Sequence, residues 1–198
     1  MVLPNQLTVL RIILTPIFLY FFLSDDPVMI QISSVIFVIA AITDWYDGWL
    51  ARKFNYITDW GKFLDPLADK ILTLTAFYGF VVIDVIPFWM VIIIIIRDMG
   101  ITLLRIYAEI KKKSFATSRS AQWKTFIQMF FLYYLLIIYT LRTIESVYNW
   151  NPWLFDLLFN QEIIYYIMLV ITIFTLYTGI QYLVKNRKMI RKLFLGEA

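Results

Sequence analysis

Long apolar stretches separated by short polar connections dominate this sequence. A helix of about 20 apolar residues is long enough to cross the hydrocarbon core of a bilayer. Six such stretches are present, and none repeats another. The pattern therefore predicts an all-α, polytopic membrane protein with six transmembrane helices in a single domain, 1–198. The helices are expected near residues 5–23, 28–52, 62–83, 87–110, 121–141 and 163–184.

The positive charges lie on one side of this arrangement. If the connections at 24–27, 84–87 and 142–162 face outwards, only Arg142 of the 18 Lys and Arg residues is on the outer side. Cytoplasmic loops carry an excess of Lys and Arg, so both termini are expected in the cytoplasm. The basic run at 185–192 is then an anchor on anionic lipid, and nucleic acid is not an expected partner.

The composition agrees with a membrane protein and narrows its chemistry. Hydrophobic residues make up 61% and charged residues 16%, against roughly half and a quarter in soluble domains. The chain contains no cysteine and no histidine. This excludes thiolate metal sites, cysteine nucleophiles and imidazole bases, so any chemistry must use carboxylates, Lys, Arg, hydroxyl groups or a metal. The opening residues have no basic region and no cleavage site, and no secretory signal is expected.

Four carboxylates lie in the polar segment 43–70, in two pairs at helical spacing. Asp44 and Asp47 are three residues apart and therefore share one face of a helix. Asp65 and Asp69, four residues apart, share one as well. We expect a helix, a turn and a second helix, with the two acidic pairs facing each other on the cytoplasmic side. Because close carboxylates repel one another, the segment predicts a site for divalent cations, with two ions as the obvious arrangement.

Small residues accompany the aspartates. Gly48, Ala51 and Gly61 let a ligand or a backbone approach closely, and Arg52 offers a planar cation suited to phosphate. Pro66 is expected in the first turn of the second helix. The alternative is a charged, solvated hairpin between two membrane helices, which leaves the ordered register of glycine and aspartate unexplained.

A second polar cluster lies inside the apolar stretch 87–110. It consists of Arg97, Asp98, Thr102 and Arg105, which occupy one sector of a helix. An arginine near mid-membrane is costly unless it is paired or faces a polar cavity. Two interpretations stay open: an internal Arg–Asp pair that fixes helix packing, and a pocket in which arginine binds an anionic group.

Two further cations also admit two interpretations each. Lys124 shares a helix face with Ser120 and Gln128, so it either joins the same pocket or extends to the cytoplasmic headgroups. Arg11 either extends to the interface or leans towards the acidic segment. A metal site beside a phosphate site would suit the joining of a phosphorylated, water-soluble acceptor to a phosphate held by metal.

The acidic segment carries the pattern D-x2-D-G-x2-A-R-x8-G-x3-D-x3-D, and every fixed position matches in residue and spacing. On these residues the chain resembles the CDP-alcohol phosphotransferase family. The stretches P-N-Q-L-T-V-L-R, R-D-M-G-I-T-L-L-R and W-K-T-F-I-Q resemble the bacterial members that use glycerol 3-phosphate. The resemblance covers most of the chain.

The resemblance implies an enzyme of phospholipid biosynthesis. Such enzymes transfer a phosphatidyl group from CDP-diacylglycerol to an alcohol and release CMP. Here glycerol 3-phosphate is the expected acceptor, and phosphatidylglycerol phosphate is the expected product. A homodimer in the cell membrane, with the active site facing the cytoplasm, is also expected.

Mapped onto this chain, the resemblance assigns roles by position. Two divalent ions, Mg²⁺ or Mn²⁺, would lie against Asp44, Asp47, Asp65 and Asp69. Asp69 would also take the proton from the acceptor hydroxyl. CDP would lie against Gly48, Ala51, Arg52 and Gly61, and the acceptor phosphate against Arg97, Arg105 and Lys124.

Two departures from the family pattern concern the acceptor. The expected Arg-Glu is Arg97-Asp98 here, and the expected Gly-Lys-x-Lys-Thr reads A-Q-W-K-T at 121–125, so one lysine is missing. Inositol phosphate, serine and phosphatidylglycerol therefore stay open as acceptors. From other classes, a divalent-cation carrier and a non-catalytic scaffold stay open, although a carrier would bury its carboxylates near the midplane.

Overall fold

The computed structural model describes residues 3–54, 59–111 and 119–195, and these residues form eight helices and no strand. The prediction of an all-α fold is confirmed. The long helices are α1 (Leu3–Phe22), α2 (Pro27–Phe54), α3 (Asp59–Val82), α4 (Phe88–Ile110), α5 (Arg119–Arg142) and α8 (Gln161–Leu195). Two short helices, α6 (Glu145–Tyr148) and α7 (Pro152–Leu158), lie between α5 and α8.

The six long helices correspond to the six predicted stretches, but two boundaries differ. The basic run 185–192, expected to follow the last helix, is part of α8. The predicted connection 142–162 contains the short helices α6 and α7. Asn151 begins α7 because its side chain accepts a hydrogen bond from the Leu154 N–H at 3.2 Å, and Pro152 occupies a first-turn position that needs no donor.

Pro66 lies in the interior of α3, so its predicted place in the first turn is wrong. The helix begins at Asp59, about two turns earlier than Pro66. The proline ring removes the N–H that would otherwise bond to the Lys62 carbonyl. Helices in proteins draw most of their stability from tertiary packing, and α3 buries Ala76 and Phe77 completely.

The helices pack as a bundle around an aromatic core. Helix α1 contacts α2 and α3, α3 contacts α4, and both α4 and α5 contact α8. Phe22 of α1 lies at the centre, with its ring 5.1 Å from that of Phe80 and 5.2 Å from that of Tyr139. These rings join α1, α3 and α5 near their C-terminal ends, whereas Arg11, Lys70 and Lys124 lie in earlier turns of the same three helices.

A tight turn joins α3 to α4, as predicted from Asp84 and Pro87. Asp84 has a left-handed backbone with φ 57°, a conformation that aspartate tolerates better than most residues. The N–H groups of Val85 and Ile86 then donate to the Phe80 carbonyl at 2.9 and 3.2 Å. The turn therefore satisfies a backbone acceptor at the end of α3.

Several of the described helices contain long apolar stretches. Helix α5 (Arg119–Arg142) and the span Pro152–Arg191, which includes α7 and most of α8, are long and apolar enough to cross a membrane. Leu7–Phe22 and Pro27–Thr43 are shorter apolar helices. These features are compatible with a membrane protein.

Candidate active site

The acidic segment spans the end of α2 and the first half of α3. The two predicted helices are confirmed, and residues 55–58 between them lie outside the described residues. Seven predicted site residues have side chains outside the described part of the structure. They are the predicted metal ligands Asp44, Asp47 and Asp65 and the predicted CDP-site residues Gly48, Ala51, Arg52 and Gly61.

Asp69 is the acidic residue of this segment whose side chain is described. Its Oδ1 lies 3.4 Å from Nη1 of Arg11, on α1. The Arg11 side chain is fully buried, whereas that of Asp69 is 54% exposed. Of the two interpretations of Arg11, the one that turns it towards the acidic segment is confirmed. Arg11 thus holds an accessible carboxylate at a fixed place on the surface of the bundle.

Asp98 lies at the centre of a buried cluster of charges. Its Oδ1 accepts hydrogen bonds from Lys124 Nζ at 2.6 Å and from Arg97 Nη1 at 2.9 Å. Its Oδ2 lies 3.8 Å from Lys70 Nζ. We call Lys70, Arg97, Asp98 and Lys124 the Asp98 cluster. It joins α3, α4 and α5, with three cations around one carboxylate, and so has a formal charge of +2.

The contacts of the Asp98 cluster bear on the alternatives for its members. The predicted pair of Arg97 with Asp98 is confirmed. Arg97 also lines a pocket, and the binding of an anionic group there stays a prediction. Lys124 does not extend to the headgroups, because its side chain is fully buried against Asp98. A buried charge is stable only when it is paired, and Asp98 supplies the partner.

A pocket of about 450 Å³ opens beside the Asp98 cluster. The predicted polar face of α4 lies in its wall, including Thr102 and Arg105. Lys70 of α3 and Tyr182 of α8 also line the pocket. The guanidinium carbon of Arg105 lies 5.4 Å from the centre of the Tyr182 ring, within the range of a cation–π contact. The lining is therefore cationic and polar on one side and aromatic on another.

Helix α8 contributes contacts that the sequence did not predict. Arg97 Nη2 donates to the Thr178 hydroxyl at 3.1 Å, and the Cα of Gly179 faces the Arg97 stem. Gln181 accepts a hydrogen bond from Ser120. The sequence did contain a pattern that indicates a polar face on α8. Polar residues recur there at helical spacing in an otherwise apolar stretch, at Thr175, Thr178, Gln181 and Tyr182. Lys70 was also missed, although it directly follows Asp69.

The two charged regions are adjacent because consecutive residues of α3 belong to them. Asp69 contacts Arg11, and Lys70 contacts Asp98. Successive side chains on a helix point about 100° apart, so the two contacts lie on neighbouring sides of α3. Consecutive residues of α3 therefore supply an accessible carboxylate and a cation of the pocket wall, an arrangement that suits the handling of a phosphate ester and a hydroxyl group.

The donor set of the acidic segment suits a hard divalent cation. Its predicted ligands are all carboxylates, and oxygen atoms are the ligands that Mg²⁺ and Mn²⁺ prefer. The exposure of Asp69 leaves its carboxylate accessible to an ion.

This combination of an all-helical fold, a carboxylate segment and a cationic pocket is compatible with a helical enzyme that transfers phosphate esters. The chain matches the model of the CDP-alcohol phosphatidyltransferase family over residues 1–177. Since this match covers most of the chain, the chain belongs to that family.

Curated relatives agree with the family assignment. The chain is similar to the CDP-diacylglycerol–glycerol-3-phosphate 3-phosphatidyltransferase of Bacillus subtilis, at 40% identity over 139 residues, 64% of this chain and 72% of the relative. A protein of the same name from Rickettsia typhi is 37% identical over 143 residues, 68% of this chain and 76% of that protein. Another from Wigglesworthia glossinidia brevipalpis is 40% identical over 139 residues, 67% of this chain and 75% of that protein.

Proposed function

We propose that the chain transfers the phosphatidyl group of CDP-diacylglycerol to glycerol 3-phosphate and releases CMP. The family and the names of the relatives support this reaction class and this acceptor. The observation that carries the proposal in this molecule is the cationic pocket beside Asp69. A phosphorylated acceptor needs a site for its phosphate next to a site for its reacting hydroxyl, and Lys70 of the pocket wall directly follows Asp69 on α3.

The charge of the pocket matches a phosphate monoester. Such a group carries about −1.5 to −2 charges at neutral pH. The Asp98 cluster has a formal charge of +2, from three cations and one carboxylate, and Arg105 adds a further cation to the pocket wall. Arginine is suited to bidentate phosphate contacts, so we assign the acceptor phosphate to Arg97 and Arg105. Lys124 supports this site from within the bundle, where it neutralises Asp98.

Asp69 is the proposed base. The hydroxyl oxygen of the acceptor attacks the phosphorus of the phosphatidyl group, a new P–O bond forms, and the P–O bond to CMP breaks. The proton of that hydroxyl passes to the Asp69 carboxylate. The accessibility of Asp69 and its fixed position against Arg11 support this role.

Divalent metal dependence is general in the family. We propose that Asp44, Asp47, Asp65 and Asp69 hold two ions, Mg²⁺ or Mn²⁺. When bound, the ions would neutralise the pyrophosphate and the charge that develops on the CMP leaving group. On the family resemblance, Gly48, Ala51, Arg52 and Gly61 are proposed to line the CDP site.

We further propose that the six long helices cross the cell membrane with both termini and the active site on the cytoplasmic side. The distribution of Lys and Arg supports this orientation. Both substrates then meet at the cytoplasmic surface, where a water-soluble acceptor is available. A homodimer is proposed on the family resemblance alone.

The test uses purified protein in detergent with CDP-diacylglycerol and Mg²⁺. CMP release is measured without acceptor and then with glycerol 3-phosphate, inositol phosphate or serine. We expect release that depends on glycerol 3-phosphate, with phosphatidylglycerol phosphate as the lipid product. Stimulation by another alcohol would move the acceptor assignment, and folded protein that releases no CMP with any acceptor would overturn the reaction class.

Arg97→Gln separates acceptors with and without a phosphate. If Arg97 binds the acceptor phosphate, this variant raises KM for glycerol 3-phosphate and leaves KM for CDP-diacylglycerol unchanged. Arg142→Gln is the matched control, because Arg142 pairs with Asp156 in a partly exposed contact far along α5 from the pocket. Equal KM values for glycerol 3-phosphate in Arg97→Gln and wild type would contradict the pocket assignment.

A further inference from the structure

The middle part of α8 packs against the arginines of the proposed acceptor pocket. The match to the family model ends at residue 177, and the contacts described here begin at Thr178. Three residues of α8 take part, Thr178, Gly179 and Tyr182, and each lies against one of the two pocket arginines. The α8 contacts to the two pocket arginines are therefore made by residues outside the matched region.

Thr178 contacts Arg97 with a defined hydrogen-bond direction. Its hydroxyl donates to the Thr175 carbonyl at 3.0 Å, so its lone pairs are left for the N–H of Arg97 Nη2 at 3.1 Å. The side chain is fully buried. The Arg97 guanidinium is thus held between Asp98 on its own helix and Thr178 on α8. Two partners on different helices fix the orientation of a group that one partner would leave free to rotate.

Gly179 makes room for the aliphatic part of the same arginine. A Cβ at this position would lie 3.0 Å from Arg97 Cγ and 3.8 Å from Nε. The 3.0 Å distance is shorter than an ordinary van der Waals contact, so an added methyl group would require the arginine stem to shift by a few tenths of an ångström. Tyr182, one turn further on and almost fully buried, supports Arg105 through its ring.

We propose that Thr178, Gly179 and Tyr182 are positioning residues that hold Arg97 and Arg105 towards the acceptor phosphate. They set the affinity for a phosphorylated acceptor without touching the reacting atoms. The inference rests on the proposed function, because it assumes that the pocket binds the acceptor.

The experiment compares KM and kcat of Thr178→Val, Thr178→Ser and Gly179→Ala in the purified full chain, with glycerol 3-phosphate and CDP-diacylglycerol varied in turn. We expect Thr178→Val and Gly179→Ala to raise KM for glycerol 3-phosphate about 10-fold, the factor that 1.4 kcal/mol represents. KM for CDP-diacylglycerol stays at the wild-type value. Thr178→Ser keeps the hydroxyl and restores the affinity for glycerol 3-phosphate.

Two matched controls lie close by. Thr172 lies about two turns before Thr178 on α8, and its buried hydroxyl donates to the Met168 carbonyl. Thr172→Val removes this hydroxyl. Gly100→Ala adds a methyl group to α4 at a place where no heavy atom lies within 4 Å. Both controls are expected to keep wild-type kinetic constants.

The measurements distinguish a failure of the proposed function from a failure of the positioning inference. If the wild-type protein shows no acceptor-dependent CMP release, the proposed function fails before any variant is compared. If glycerol 3-phosphate stimulates the wild type and Thr178→Val has the same constants, the function stands and the positioning inference is overturned. If Thr178→Val raises KM equally for both substrates and Thr178→Ser does not restore the wild-type values, Thr178 has only a structural role. That result would also overturn the positioning inference.

Discussion

Nη1 of Arg11 lies 3.4 Å from Oδ1 of Asp69, although the two residues are 58 positions apart in the chain. The guanidinium is fully buried and the carboxylate is more than half exposed. Arg11 is therefore an anchor within the bundle for the exposed carboxylate that we propose as the base. This contact connects α1 to the acidic segment of α3, and it gives the buried arginine a function in the proposed mechanism.

Arg11→Gln should lower kcat while the protein stays folded. A hydrogen bond to a charged group contributes ~1.5–3 kcal/mol, so we expect a fall of about 10- to 100-fold. The measurement is CMP release at saturating glycerol 3-phosphate. Arg142→Gln removes a partly exposed ion pair, which contributes at most about 1 kcal/mol to stability, and should keep the wild-type rate. A wild-type kcat in Arg11→Gln would show that Asp69 does not depend on this anchor.

Asp69→Asn should almost abolish turnover and preserve binding of CDP-diacylglycerol. The amide is nearly isosteric with the carboxylate but cannot accept the proton of the acceptor hydroxyl. Binding is measured with the variant in detergent and compared with the rate of CMP release. If binding falls as much as the rate does, the role of Asp69 as the base is wrong.

Asp98→Asn should destabilise the protein more than Lys124→Met does. Removal of the carboxylate leaves Lys70, Arg97 and Lys124 as three neighbouring cations. Loss of one partner from a buried ion pair typically costs ~3–5 kcal/mol. Lys124→Met leaves Asp98 still paired with Arg97 and Lys70, so this variant should lose less stability than Asp98→Asn. The midpoints of thermal unfolding in detergent provide the comparison, and an equal or reversed order would contradict the central position of Asp98.

Gly79→Ala should destabilise the contact between α1 and α3. The added Cβ would lie 2.8 Å from Cδ1 of Phe22, whose ring is fully buried between Phe80 and Tyr139. Overpacking of this kind costs ~1–3 kcal/mol. Gly100→Ala is the control, since it meets no heavy atom and gains up to ~1 kcal/mol of helix propensity. Equal unfolding midpoints for Gly79→Ala and wild type would contradict this packing.

The sequence alone predicted much of the local structure. Apolar length and turn residues placed the six long helices, and the spacing of Arg97, Asp98, Thr102 and Arg105 correctly predicted one shared face. The fixed positions of the acidic segment indicated the family. These features are local, because helical periodicity and motif spacing are properties of neighbouring residues.

The tertiary structure alone decided which distant side chains meet. Lys124 pairs with Asp98 across 26 positions, and Arg97 reaches Thr178 across 81. No periodicity encodes such pairs, since they depend on how α3, α4, α5 and α8 pack. Proline is disfavoured in the interior of a helix, yet Pro66 lies inside α3. There the burial of the following residues outweighs one missing hydrogen bond. The sequence thus determined the helices and their chemical groups, and the packing of the helices decided that these groups form a pocket.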